Sequence, residues 1–271
     1  GANLGIQELA LPAIHPRLFV AGDLGGGRAV DLTAGQTHYL KNVMRLAPGG
    51  AVTLFNGRDG EWQGRIDTLG RNAGSAIPEW QTRPQAAEPD LWLLFAPLKR
   101  GPLDFMVQKA VELGVSELRP VLTRHTDVGR VNTDRLGAIV LEAAEQCERL
   151  TLPQVREPVT LDAALADWPD GRRLLACAEF GPARPIGAVL AEFAAQGAPA
   201  TPGSPAALLT GPVGGFTTTE LDGLRNLPFV TAVALGPRVL RAETAAIAAL
   251  ACWQSVLGDW RSDRKQTPKA T

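Results

Sequence analysis

Between Leu208 and Leu257 the chain twice passes from an apolar run through a Gly-Pro turn into a helical pattern. The first pass reads LLTGPVGGFTTTEL and the second VTAVALGPRVLRAETAAIAALACWQSVL, with turns at Gly211-Pro212 and Gly236-Pro237. A β-branched or Leu-rich run closed by glycine and proline reads as a strand, and the 3.6-residue period that follows reads as a helix. Strand, turn and helix in alternation belong to a parallel sheet with helices on its faces. In such sheets ligands settle where strand C-termini meet helix N-termini, because free backbone N–H groups gather there. Gly211, Gly214, Gly215 and Gly236 would let a ligand lie against the backbone with no Cβ in the way. The pair of turns is the candidate active site.

Neither turn is a phosphate fingerprint. GPVGG lacks the GxGxxG spacing, and GxxxxGK[ST] occurs nowhere in the chain. A nicotinamide or nucleoside-triphosphate enzyme is therefore not expected. Taken bare, a GPxGG turn reads equally well as an ordinary strand-to-helix connection.

Upstream the same alternation continues. Leu91–Phe95 is a continuous apolar run, as a strand buried on both faces would be. Leu103–Leu113 is an amphipathic helix ended by Gly114. Leu118–Leu122 is the next strand, with Pro120 arguing for an edge or a bulge. Asp134 is a candidate cap for a helix reaching Cys147. Leu174–Ala178 is a further strand, and Pro185 opens a helix to Gln196. Residues 197–205 read as a flexible loop. Thr217-x-x-Glu220 is a capping box, so a helix starts just after the first glycine turn. The helix Ala242–Leu257 is apolar almost all round, which implies cover on every side, by its own sheet and by a second subunit.

Before residue 91 the pattern differs. Residues 15–78 read as a small β-rich domain, with strands at Arg17–Val20 and Ala51–Phe55 and a turn at Gly57–Gly60. One helical segment, Thr37–Leu46, carries Leu40, Val43, Met44 and Tyr39 on its inner side. Pro78–Asp90 (PEWQTRPQAAEPD) marks a boundary, with a linker over 79–90. The second domain spans 91–260, and residues 261–271 form a polar tail. A net charge of −1 leaves no overall basic field, so any RNA contact must be a local patch. The three cysteines, Cys147, Cys177 and Cys252, show no metal spacing and suit a reducing cytosol. No secretory leader or membrane-length apolar run is evident, so a cytoplasmic protein is expected.

The two glycine turns, TGPVGGFT followed by EL and then LGPRVLRAET, resemble the C-terminal signature of the ribosomal RNA small subunit methyltransferase E family. HPRLFV, HYLKNVMRL, LFNGRDGEW, DFMVQKAVELGV and EQCER resemble family segments in the same order, so the likeness covers nearly the whole chain. It implies an α/β C-terminal parallel-sheet SPOUT domain with a trefoil knot, preceded by a PUA-like β-barrel that binds RNA. It implies S-adenosylmethionine-dependent methylation of N3 of a uridine in 16S ribosomal RNA, on the assembled or assembling small subunit, by a homodimer that needs no metal. It places the cofactor on Leu209, Thr210, Gly211 and Gly215 of the first turn, and on Leu235, Gly236, Pro237, Val239 and Leu240 of the second. RNA contacts fall to Arg17, Lys41, Arg45, Arg100, Arg124 and Arg149. Two departures stand out: Glu148 where the family usually has glycine, and Val213 where glutamate is common.

Methyl transfer to uracil N3 is an in-line displacement that rewards alignment. Neutral N3 carries a proton that must leave, and charge developing on O2 and O4 must be stabilised. Arg241 and Glu243, just past the second turn, are the candidate catalytic pair. A surface arginine beside a glutamate favoured by the helix dipole is the plainer account of both. A methyltransferase for another RNA position, or a noncatalytic RNA-binding assembly factor, are the competing functions.

Overall fold

The computed structural model describes residues 15–178, 183–197 and 204–261. Most of the expected 197–205 loop and nearly all of the polar tail lie outside the described residues. The chain divides into two compact units, Gly1–Gln85 and Ala86–Thr271.

The first unit is a five-stranded sheet built on period-2 alternation. Its strands are β1 (Arg17–Phe19), β2 (Val30–Leu32), β3 (Ala51–Phe55), β4 (Glu61–Leu69) and β5 (Gly74–Arg83). The order is β1-β3-β4-β5-β2, with β1 parallel to β3 and the other pairs antiparallel. Leu18, Val52, Leu54, Ile66 and Ala76 face one core, as every second residue of a half-buried strand should. Strand β5 continues to Arg83, into the stretch expected as a linker. Polar composition misled there, because Glu79 and Gln81 are exposed on a paired strand.

A Thr33–Gln36 capping box starts helix α1 (Ala34–His38). The chain then widens into a π-turn at Tyr39–Val43, with Met44 N–H donating to Tyr39 O at 2.9 Å. The extra residue rotates the face that a 3.6 period predicts. Leu40 stays buried, but Val43 is 60% exposed and Tyr39 39%, against the expectation that both turn inward.

The second unit alternates strands and helices. In chain order they are β6 (Leu91–Phe95), α2 (Arg100–Glu112), β7 (Glu117–Leu122), α3 (Thr133–Gln146), β8 (Gln154–Val155), β9 (Val159–Thr160) and α4 (Leu161–Leu165). There follow β10 (Arg173–Cys177), β11 (Arg184–Pro185), α5 (Ile186–Ala195), β12 (Ala206–Thr210), α6 (Thr218–Arg225), β13 (Val230–Ala234) and α7 (Ala242–Val256). The sheet runs β11-β13-β10-β12-β6-β7-β8, with β9 also on β7, and every pairing is parallel. Strands β6 and β12 are buried at every residue, which is why both read as unbroken apolar runs. Pro120 sits where β7 changes partner: β8 pairs Glu117 and Leu118, and β9 pairs Val121 and Leu122. The α3 cap is Asn132, whose side chain accepts from Arg135 N–H; Asp134 lies in the first turn instead.

Helix α7 packs on α2, α5 and β12. Ala246, Ala249, Leu250 and Trp253 face this interior, and buried Gln254 donates to Leu113 O at 2.6 Å. Ile247, Ala248, Ala251 and Val256 are only half-buried. Cover by the unit's own elements is therefore one-sided, and Trp253, 1% exposed, belongs to the core of its own unit rather than to a subunit surface.

Candidate active site

Strands β12 and β13 flank β10, so the two glycine turns open at the same edge of the sheet despite their separation in sequence. A cavity of about 800 Å³ lies there. The first turn contributes Thr210, Gly211 and Gly215, and the second contributes Leu235, Val239, Leu240, Arg241 and Glu243. Pro97, Leu98 and Lys99 enter from the end of β6, and His125 and Asp127 from the β7–α3 loop. This is the place the strand–turn–helix pattern indicates.

Three of the residues expected at the cofactor do not line the cavity. Leu209 is fully buried in the sheet core. Gly236 and Pro237 shape the second turn, where Gly236 holds φ at +92°, a conformation other residues resist. Gly211 is required for a reason other than ligand clearance. A Cβ there would stand 2.7 Å from Phe216 Cε2, so its absence lets the ring seat against the turn. The Thr210 hydroxyl is buried and has no hydrogen-bond partner among the described residues. Val213 and Val239 stand 83% and 95% exposed on the two turns.

The first turn is tied to its surroundings. Glu220 completes the capping box on Thr217, accepting from Thr217 N–H at 2.8 Å, and its other carboxylate oxygen accepts Arg124 N–H at 2.8 Å. His125 Nδ1 lies 3.0 Å from Gly215 O. Arg241 occupies the α7 N-cap position, exposed and with no side-chain cap bond, and Glu243 sits half-buried in the first turn. Neither forms an ion pair among the described residues. Sequence reasoning did not reach Arg238 and Asp127, or the placement of Lys99 and His125. Arg238 carried a usable signal, being a cation inside the second turn; the others come from loops distant in sequence. Cys177 also lines the cavity, but desolvation, with Cys252 nearby, pushes its thiol up to about 12, so it is no thiolate nucleophile near neutrality.

The expected RNA contacts divide sharply. Lys41, Arg45, Arg100 and Arg124 are exposed, Arg100 with 80% of its side chain free. Arg17 is not: its side chain is 10% exposed, 2.8 Å from Glu61 and 3.9 Å over the Phe55 ring. Arg149 is 8% exposed and donates to Val111 O at 3.0 Å, Val115 O at 2.9 Å, Thr151 and Glu88. Both guanidiniums are committed inside the protein, so the expectation of RNA contacts there is corrected. Glu148 adopts φ +62°, which glycine takes without strain. Its departure from the family pattern thus bears on the backbone rather than on a phosphate contact. Among the described residues there is no metal-holding cluster and no helix long and apolar enough to cross a membrane.

Comparison with known proteins agrees with this architecture. Residues 86–254 match an RNA methyltransferase domain, and residues 32–79 match an RNA methyltransferase PUA domain. A ribosomal RNA small subunit methyltransferase E from Rickettsia conorii is 31% identical over 238 residues, covering 88% of this chain and 94% of the relative. One from Synechocystis is also 31% identical over 238 residues, covering 87% of this chain and 76% of the relative. The crystal structure of the Neisseria gonorrhoeae enzyme bound to S-adenosyl methionine is similar at a TM-score of 0.77 and 28% identity, over 91% of this chain and 100% of that one. With its α/β parallel-sheet unit, its β-rich PUA-like unit and a cavity between two glycine turns, the chain belongs to the ribosomal RNA small subunit methyltransferase E family.

Proposed function

We propose that this chain uses S-adenosylmethionine to methylate N3 of a uridine in 16S ribosomal RNA, on the assembled or assembling small subunit in the cytoplasm. The observation that carries the reading is the cavity itself, where two exposed glycine turns converge with the buried Thr210 hydroxyl and the Arg241 side chain, both without a partner among the described residues. The residues fit the cofactor. Backbone groups of 211–215 and 235–240 lie outside the strands and would hold it, and the Thr210 hydroxyl would gain a partner there. When bound, the cofactor supplies an electrophilic methyl group.

Arg241 then donates hydrogen bonds to the uracil carbonyl oxygens as N3 loses its proton, which lowers the barrier because that charge exists only as the reaction proceeds. Glu243, in the first turn of α7, adds a negative charge beside the site without an ion pair to Arg241 among the described residues. Lys41, Arg45, Arg100 and Arg124 contact phosphates and position the RNA without reading its sequence. The trefoil knot and a homodimer across the half-buried stripe of α7 belong to the same reading.

The test is calorimetric titration with S-adenosylmethionine, followed by single-turnover methylation of small subunits and mass-spectrometric mapping of the product. Cofactor binding with one 3-methyluridine in 16S RNA is expected. A folded protein that binds no cofactor, or a methyl group on another atom, overturns the proposal.

A further inference from the structure

We propose that His125 takes the N3 proton in this reaction. The proposal deepens the methyltransferase reading and rests on it. His125 carries the one imidazole among the residues that line the cavity. Its Nδ1 lies 3.0 Å from Gly215 O. A carbonyl oxygen only accepts, so the hydrogen sits on Nδ1 and the Nε2 lone pair is left for a substrate proton. The loop that carries the ring is fixed at two more points, one on α6 and one on the glycine turn. Arg124 N–H donates to Glu220 Oε1 at 2.8 Å, and a Cβ on Gly214 would stand 3.2 Å from His125 Cβ. The base is thereby held against the same turn that would hold the methyl donor.

The charged groups around the ring come from several elements. Lys99 reaches the cavity from the end of β6, Arg238 and Arg241 from the second turn, and Glu243 from α7. Asp127 lies on the histidine's own loop, and Glu220 on α6 carries the neighbouring Arg124 tether. Cations outnumber carboxylates among the lining groups, so a uracil anion is favoured there. In the step, N3 gives its proton to Nε2 and uses the freed pair to bond the methyl carbon. The carbon–sulfur bonding pair stays on sulfur, leaving a neutral thioether and an imidazolium that returns its proton to water.

His125→Asn keeps an amide donor at the place of Nδ1 and deletes the base, whereas His125→Ala opens room for imidazole. Single-turnover rates at neutral pH fall about a hundredfold or more in His125→Asn, and recover as pH rises and N3 ionises unaided. Added imidazole restores rate to His125→Ala in proportion to its concentration. Calorimetric cofactor affinity stays within about twofold of wild type in both, which also reports that the turn is intact. Ring nitrogen-15 spectra of the ligand-free protein show the hydrogen of neutral His125 on Nδ1. A folded His125→Asn with the wild-type rate, an Nε2–H tautomer, or failure of imidazole rescue overturns the assignment. Wild-type protein that binds no cofactor instead overturns the methyltransferase reading beneath it.

Discussion

The two ends of the parallel sheet use the same side chain in opposite ways. At the end where strands begin, Arg172 donates to Asp90 O at 3.2 Å, to Ala206 O at 3.0 Å and to the Asp90 carboxylate, and its guanidinium lies 3.6 Å from the Trp92 ring centroid. Arg119 lies 3.3 Å from the same centroid and pairs with Glu117, which also pairs with Arg156. Arg149 is closed off similarly, beside the start of β7. At the end where strands stop, Arg124, Arg238 and Arg241 are exposed and their guanidiniums have no protein acceptor among the described residues. Buried arginines join elements of this unit, because an unpaired buried N–H is costly; Arg172 Nε alone of their guanidinium nitrogens is buried without a partner among the described residues. Exposed ones at the cavity leave their donors for something outside the chain.

Deleting one arginine from each end is the sharpest way to break this comparison. Arg149→Ala removes the guanidinium that joins Val111 O, Val115 O and Glu88 and should cost about 3 kcal/mol or more of stability. The urea midpoint of unfolding reads this, and a cost under about 1 kcal/mol would show that Arg149 is not structural. Arg241→Ala should leave that midpoint within about 0.5 kcal/mol and slow single-turnover methylation about a hundredfold, with cofactor affinity nearly unchanged. An equal loss of stability and rate would erase the distinction between the ends.

Smaller effects sharpen it. Thr210→Val removes a buried hydroxyl that has no partner, so stability should rise by about 1 kcal/mol while cofactor affinity falls about fivefold. Unchanged affinity by calorimetry would mean that the hydroxyl does not meet the ligand. At the opposite end, burial raises the Glu117 carboxyl, but hydrogen bonds from Arg156 and Arg119 outweigh it and hold the group below its ordinary 4.5. A carboxyl lowered in the folded state stabilises above its unfolded value and loses that contribution as pH falls through the folded one. Glu117→Gln should therefore lie below wild type in stability at pH 7, with the gap narrowing below about pH 4.5. A gap constant across that range would show that the ion pair contributes nothing.

Local rules carried much of the fold. The capping box at Thr217 and Glu220 is read from two residues and forms as expected. Strands β6 and β12 are recognisable because burial on both faces removes every polar residue from them. Boundaries were harder. Asn132 displaces Asp134 as a cap, and the π-turn at Tyr39 breaks the period on which an inward Val43 depends. The cavity was legible from two Gly-Pro turns, but its far wall was not. Val128, Asp127 and His125 arrive from a loop whose link to Gly215 spans ninety residues of sequence.

The sequence alone determined the alternation of strands and helices, the two turns and, through ordered motifs, the family. Each of these depends on residues a few positions apart, whose chemistry acts on the local backbone. Only the tertiary structure decided which arginines are free. Arg17 meets Glu61 and Arg149 meets Glu88, pairings forty-four and sixty-one residues apart. A guanidinium's availability depends on acceptors brought close by folding, and no local pattern encodes that distance.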